Sequence, residues 1–324
     1  MTDADFRRDI AWAGTAACLL EAAAPKAGNV NRLYDFADCL LEDFLLSAAV
    51  IGEPLGRAGG RGVGETVVEA ITKTRDLIPA NTNLGIILLL VPMAKAWSQV
   101  MPAAGRAQPT AAKHGIRLAL KGELDKVLAD LAVEDARLVY QAVRLAAPGG
   151  LGHPGDGDVY REDRVDITLL QAMGLAAERD LIAREYVSGY QIILETGVPM
   201  LEQTLRRGLP FSQAVAHSQL YLLSQYSDTL IARKAGLAAS EEVRTRAGTV
   251  WERGGWCSPD GRAAAAEFDR WLRRCGNRFN PGTTADLVTA MIFLLLLENG
   301  PELWRQSRQP AKSRQWNGGE GNGR

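Results

Sequence analysis

At 324 residues and 35.0 kDa the chain is long enough to bury a substantial core, as one large domain or two ordinary ones, so size does not restrict the fold. Lys plus Arg at 37 against Asp plus Glu at 38 leaves a formal net charge of -1, which excludes the global basic field that draws proteins to nucleic acid. Any polyanion site must be local. Four cysteines, at 18, 39, 257 and 275, lack the paired spacing of a zinc site, and a chain of this size needs no disulfides, so a reducing cytoplasm is the expected location.

Met1-Thr2-Asp3-Ala4-Asp5 is acidic and lacks the basic n-region of a signal peptide. Ala, Leu, Glu and Arg then dominate with apolar spacings of three and four, which predicts an all-α protein. Ile10 to Ala24 reads as the first helix, with Ala13, Ala17, Leu20 and Ala24 on one stripe, ending at Pro25-Lys26-Ala27-Gly28-Asn29. A polar loop carries Asp35 and Asp38 to a helix over about Leu40 to Ile51. Gly56 to Gly64 reads as a flexible basic loop, either a plain connection or a phosphate wrap by backbone amides; it lacks the Gly-Lys-Ser/Thr ending of a P-loop.

Glu65 to Ile78 is helical, and Asn81-Thr82-Asn83-Leu84-Gly85 opens an apolar helix in which Pro92 predicts a kink or break. Three short amphipathic helices are expected over about 109–147, then a Gly- and Asp-rich loop to Arg164 of a length that is functional or mobile. A long helix from Ile167 to Glu195 carries Asp180, Arg184, Tyr186, Ser188 and Tyr190. Further helices cover 210–226, 229–235 and 240–275, the last divided at Gly254-Gly255. Asn280-Pro281-Gly282-Thr283-Thr284-Ala285-Asp286-Leu287 then opens the apolar run to Leu297, with Thr283 or Thr284 as the cap and Asp286 in the first turn, where the helix dipole favours an anion. Neither this run nor the one from Leu84 reaches the ~20 residues of a membrane span. The expected organisation is a single globular multi-helix domain over 1–304, its polar helix-start turns surrounding a central nucleotide cleft, and a disordered polar tail over 305–324.

The three histidines, His114, His153 and His217, have neither metal nor triad spacing, and no Gly-x-Ser-x-Gly elbow occurs. His153 in the long loop is an accessory group or a plain surface histidine. The polar turns are the better sites, because they place amides, hydroxyls and acids at helix starts. Lys26 suits a phosphate or a helix C-terminus; Asp228 with Arg233 and Lys234 suits magnesium and phosphate oxygens or an ordinary ion cluster. Asp35 and Asp38 could share a cation if helical, or cap the next helix, and Asp180 with Arg184 reads as an intrahelical pair.

In chain order, Pro25-Lys26-Ala27-Gly28-Asn29-Val30, Asn81-Thr82-Asn83-Leu84-Gly85, Ala177-Glu178-Arg179-Asp180, Tyr186-Val187-Ser188-Gly189-Tyr190, Asp228 to Lys234 and Asn280 to Leu287 together resemble the triphosphoribosyl-dephospho-CoA synthase family, all-helical transferases that make the prosthetic-group precursor of citrate lyase and malonate decarboxylase. The resemblance spans roughly residues 10–299, and Pro-Gly-x-x-Ala-Asp-Leu is its most specific piece. It implies that the ribose C1 of ATP is attacked by the 2'-hydroxyl of 3'-dephospho-CoA with loss of adenine. It implies Lys26, Arg233 and Lys234 at the phosphates, and Asp38 and Asp228 near magnesium or the reacting ribose. Asn81 and Asn83, with Ser188, Tyr190, Thr283 and Thr284, would lie at the nucleotide. Asp286 would be a metal ligand or the acid that stabilises the ribosyl cation.

Where the citrate-lyase enzymes have Asn-Thr-His-Lys-Gly this chain has Asn81-Thr82-Asn83-Leu84-Gly85, and their Pro-Lys-Pro-Gly is Pro25-Lys26-Ala27-Gly28. The version seen here resembles a subgroup found in archaea and one-carbon-metabolising bacteria, which leaves three readings: transfer to dephospho-CoA; another acceptor or phosphoryl transfer, as in assembling a methanopterin- or methanofuran-type carrier; or a helical binding protein that keeps the turns as caps. The expected partners are small molecules, ATP with Mg2+ and an acceptor, with no nucleic acid or membrane; a homodimer is compatible with all three.

Overall fold

Helix-forming residues at helical spacing give helices and nothing else: among the described residues there are fifteen α-helices and no strand, only two isolated bridges. The structure is a computed structural model describing residues 3–104, 111–147 and 165–307. The helices are α1 (Asp3–Ala23), α2 (Leu41–Arg57), α3 (Val63–Arg75), α4 (Leu84–Ala104), α5 (Ala111–Ala129), α6 (Val133–Ala146), α7 (Leu169–Ala176) and α8 (Leu181–Ser188). They continue with α9 (Val198–Arg206), α10 (Phe211–Gln225), α11 (Thr229–Ala235), α12 (Leu237–Glu252), α13 (Pro259–Arg273), α14 (Gly282–Asn299) and α15 (Glu302–Ser307). His153, the whole of the long loop to Arg164, and the tail beyond Ser307 lie outside the described residues; α15 carries the first three tail residues.

The apolar run of α14, buried from Leu287 to Leu296, packs against α1, α4 and α10 and is the spine of the larger core. Each such leucine contributes about 1.5–3 kcal/mol on burial. By length and composition α14 also passes as a membrane span, but 67% of it is buried inside the protein. A second core gathers α10 to α13 around Leu223, Ile231, Val243 and Phe268, and α10 contributes to both.

Four local readings change. The stretch 56–64 is no flexible loop: α2 runs through Pro54 to Arg57, a 3-10 turn follows over Ala58–Gly60, and α3 begins at Val63. Gly56, like Gly52 one turn earlier, serves close packing, since a Cβ there would fall 2.6 Å from the carbonyl oxygen of Arg7 and, at Gly52, 2.9 Å from that of Ala11, both on α1. Arg57 and Arg61 pair with Glu53, Glu65 and Glu69. Second, two helices rather than three cover 111–146.

Third, the long helix expected over 167–195 breaks twice. Asp180 caps α8, and Gly189 and Tyr190, both left-handed at φ +65 and +64, turn the chain toward α9. A non-glycine residue there costs about 1–3 kcal/mol, and Tyr190 is held by its hydroxyl, which donates to Leu89 O at 3.0 Å. Buried Glu185 accepts the amides of Ile192 and Ile193 beyond the turn, and burial pushes its carboxyl up to about 7. Fourth, α4 continues past Pro92 because the carbonyl that Pro92 leaves without an amide, Leu88 O, accepts the hydroxyl of Tyr186 at 2.7 Å.

Candidate active site

Helices α4, α8, α11 and α14 all begin on one cleft of about 1340 Å³, larger than the ~300–1,000 Å³ that suits one drug-sized ligand. The sequence brings these starts together through short polar side chains. Asp228, fully buried, caps α11 with Oδ1, accepting Leu230 N at 3.0 Å and Ile231 N at 3.1 Å. Its Oδ2 accepts Thr284 N at 2.7 Å and Thr284 Oγ1 at 2.8 Å, which pins the first turn of α14 to α11. Thr283 Oγ1 bonds Thr229 Oγ1 and accepts Leu230 N, both at 3.1 Å, and Thr229 Oγ1 accepts Leu181 N from α8. Thr283 and Thr284 therefore do not cap α14, as the sequence suggests; their hydroxyls reach across to α11, and α14 starts without a side-chain cap.

Asp286, one turn into α14, has the opposite surroundings. Half-buried in the cleft wall, its carboxyl has no hydrogen-bond or ion-pair partner among the described residues. It sits against the first turn of α4, where a Cβ on Gly85 would lie 2.0 Å from Oδ2, so only glycine leaves it room. Burial, then the charges of Glu21, Asp228 and Asp180, hold its carboxyl well above the usual range, with Arg233 opposing. It is not the exposed helix-start acid that its sequence position suggests.

Of the other residues singled out from sequence, Lys26, Asn81, Asn83, Arg233 and Thr283 line the cleft. Lys26 is only 1% exposed; its ammonium donates to Glu21 O at 2.6 Å and pairs with Glu21 Oε1 at 3.0 Å. Burial pushes Lys26 down and Glu21 up, each partner opposing the other's drift. Asn81 Oδ1 caps α4 at Leu84 N, and Asn83 donates to Thr74 Oγ1 while its buried Oδ1 has no partner among the described residues. Arg233 Nη1 meets Asp180 Oδ2 at 3.0 Å, the other oxygen of Asp180 capping α8.

Asp38, Lys234, Ser188 and Tyr190 are not cleft residues, and Asp228 and Thr284, buried behind the wall in bonding each other, do not line it either. Asp38 sits in a tight turn rather than a helix, exposed, accepting from Asn277, so it shares no cation with Asp35, whose Oδ1 accepts Leu41 N. Lys234 donates to the same Asn277, partly buried and pushed down by desolvation. Ser188 and Tyr190 shape the turn after α8.

Four further residues take part: Glu21 is absent from the sequence reading, Arg179 and Asn29 enter it only within motifs, and Arg184 is not the intrahelical partner of Asp180 expected there, since Asp180 pairs with Arg233. Glu21 lies on the buried stripe of α1, four residues after Ala17 and three before Ala24, where an acid is itself a signal. Arg179 and Arg184 line the cleft, their guanidinium groups without a hydrogen-bond or ion-pair partner among the described residues. Asn29 joins three elements: its Nδ2 donates to Asn280 Oδ1 at 2.7 Å and its Oδ1 accepts Gln219 Nε2.

The donors do not form a resident magnesium site. Among the described residues no three His, Cys, Asp or Glu side chains cluster, Asp228 already accepts four hydrogen bonds, and Asp38 lies outside the cleft.

The model of the family described as ATP:dephospho-CoA triphosphoribosyl transferase matches residues 7–305. The chain belongs to that family. It is 29% identical over 192 residues to the 2-(5''-triphosphoribosyl)-3'-dephosphocoenzyme-A synthase of Klebsiella pneumoniae, which covers 55% of this chain and 68% of that enzyme. A candidate synthase of the same description from Stutzerimonas stutzeri is 31% identical over 35% of this chain and 38% of its own length. A crystal structure from Archaeoglobus fulgidus, described as a candidate triphosphoribosyl-dephospho-CoA synthase, superposes with a TM-score of 0.58 at 27% identity, covering 78% of this chain and 98% of that one. The transferase reading and the all-α fold stand on these matches.

Proposed function

We propose that the protein transfers the 5-triphosphoribosyl group of ATP to the ribose 2'-hydroxyl of 3'-dephospho-CoA, releasing adenine. The bond from C1 of the ATP ribose to N9 of adenine breaks, the bond from C1 to O2' of the acceptor forms, and one proton passes from that hydroxyl to adenine. The observation that carries this reading is Asp286, a carboxyl in the cleft wall with no partner among the described residues, whose burial and acidic neighbours favour its protonated form. As an acid it gives its proton to the departing adenine; as the carboxylate so formed it faces the positive ribosyl centre and then takes the proton of the attacking hydroxyl. The proton count closes on one side chain.

The triphosphate needs cations that are not already neutralised. Arg179 and Arg184 meet that need; Arg233, in the last turn of α11, lines the same cleft but is already paired with Asp180. Lys26 does not fit the phosphate role in this reading, because its ammonium is engaged with Glu21. Magnesium enters as the counter-ion of ATP, part of the substrate. Chromatography of a reaction with ATP and dephospho-CoA tests the proposal: adenine should appear in step with a triphosphoribosyl adduct of the acceptor. Release of ADP or AMP instead would point to phosphoryl transfer and overturn it.

A further inference from the structure

One wall of the cleft is unlike the rest. Where α6 and α7 face it, the lining is Tyr140, Val143, Leu169, Ala172 and Met173, with no charged side chain, and two strongly exposed leucines flank the opening, Leu175 on α7 and Leu237 on α12. The charged triphosphate has no use for such a surface. One polar atom interrupts it: the hydroxyl of half-buried Tyr140, which has no hydrogen-bond partner among the described residues. An apolar strip with one spare hydroxyl matches a chain of methylene and methyl groups carrying amides, rather than a plain hydrocarbon or a second nucleotide.

We infer that this wall is the subsite for the amide-bearing pantetheine arm of the acceptor, with Tyr140 hydrogen-bonding an arm amide and Met173 packing on its methylenes. The inference rests on the reading above that dephospho-CoA is the acceptor. Spatial order supports it. The strip ends at Ala176, Arg179 follows in the turn, and Asp180 closes that turn, bonded to Arg233 and near enough to Asp286 to act on its titration. The apolar wall and Asp286 thus flank that turn, as the arm and the reacting ribose flank the diphosphate along dephospho-CoA. The arm would supply binding energy remote from the reacting bond and set the acceptor.

Adenosine diphosphate is the same acceptor without the arm, so it is the probe. With ATP held saturating, kcat/KM for dephospho-CoA should exceed that for adenosine diphosphate as acceptor by about 100-fold or more, the range expected for several buried apolar groups and a hydrogen bond. Tyr140→Phe should raise the KM for dephospho-CoA about fivefold to tenfold with little change in kcat, and Met173→Glu, at a half-buried position, should cut the preference more deeply. Calorimetric titration of dephospho-CoA and of adenosine diphosphate into each variant reads the same difference without turnover. Equal use of the two acceptors by the unaltered enzyme, or an unaltered preference in both variants, would overturn the subsite. An enzyme that releases no adenine with either acceptor, yet binds dephospho-CoA through the arm, would instead overturn the proposed reaction and leave the subsite standing.

Discussion

The starts of α11 and α14 each carry an aspartate beside threonines, yet the two aspartates have opposite surroundings. Asp228 accepts four protein hydrogen bonds and is buried. Asp286, on the turn that Asp228 holds in place, accepts none among the described residues and faces the cleft. Burial pushes both carboxyls upward, but for Asp228 the donors oppose the push, whereas for Asp286 three neighbouring acids add to it. Residue type and position at a helix start are shared; the number of donors within reach separates a carboxylate tied into the fold from one that faces the cleft.

The comparison predicts its largest effect at Asp286. Asp286→Asn should lower kcat for adenine release about 10³-fold, while the melting temperature holds or rises, because no protein donor is orphaned. A carboxyl raised in the folded state stabilises the fold below the ordinary carboxylate range and loses that contribution as pH rises through the raised value. Thermal melts should therefore show the variant gaining on the parent with rising pH, and kcat of the parent should fall over the same interval.

Asp228→Asn should act in the reverse way. Setting an amide nitrogen against backbone amides costs about 2–4 kcal/mol, read by urea titration, and activity should be lost in proportion to displacement of α14. Gly85→Ala sharpens the contrast from the other side: its methyl would occupy the place of Asp286 Oδ2, so kcat should fall at least tenfold while stability changes by less than about 1 kcal/mol. Glu185 supplies a pH test remote from the cleft. With its carboxyl pushed up to about 7, its contribution to stability is complete below the ordinary carboxylate value near 4.5 and is lost as pH rises through 7, so Glu185→Gln should flatten the pH dependence of urea stability across that window. Asp38→Ala should have the smallest effect, within about 0.5 kcal/mol of stability and with adenine release intact.

Helix content, the polar helix starts and Asp286 were legible in the sequence because helical periodicity and capping chemistry are local. Thr283 and Thr284 show where that reading stops. Both are good caps by type, but donors on α11 and the carboxylate of Asp228, more than fifty residues away in sequence, compete for their hydroxyls and win. Lys26 looks like a phosphate ligand until Glu21, five residues earlier on the buried stripe of α1, is seen beside it. The 56–64 stretch misleads for a related reason: glycine reads as flexibility, whereas here it lets α1 and α2 approach. Arg179 and Arg184 were least visible, since an unpaired cation is identified by what surrounds it.

Adenine released per enzyme per second, at saturating ATP and dephospho-CoA, tests the assignment most directly when the unaltered protein and Asp286→Asn are compared on samples with matched melting curves. The account predicts steady release by the former and a loss of about three orders of magnitude in the latter. Release by the folded variant within a few-fold of the parent would contradict it.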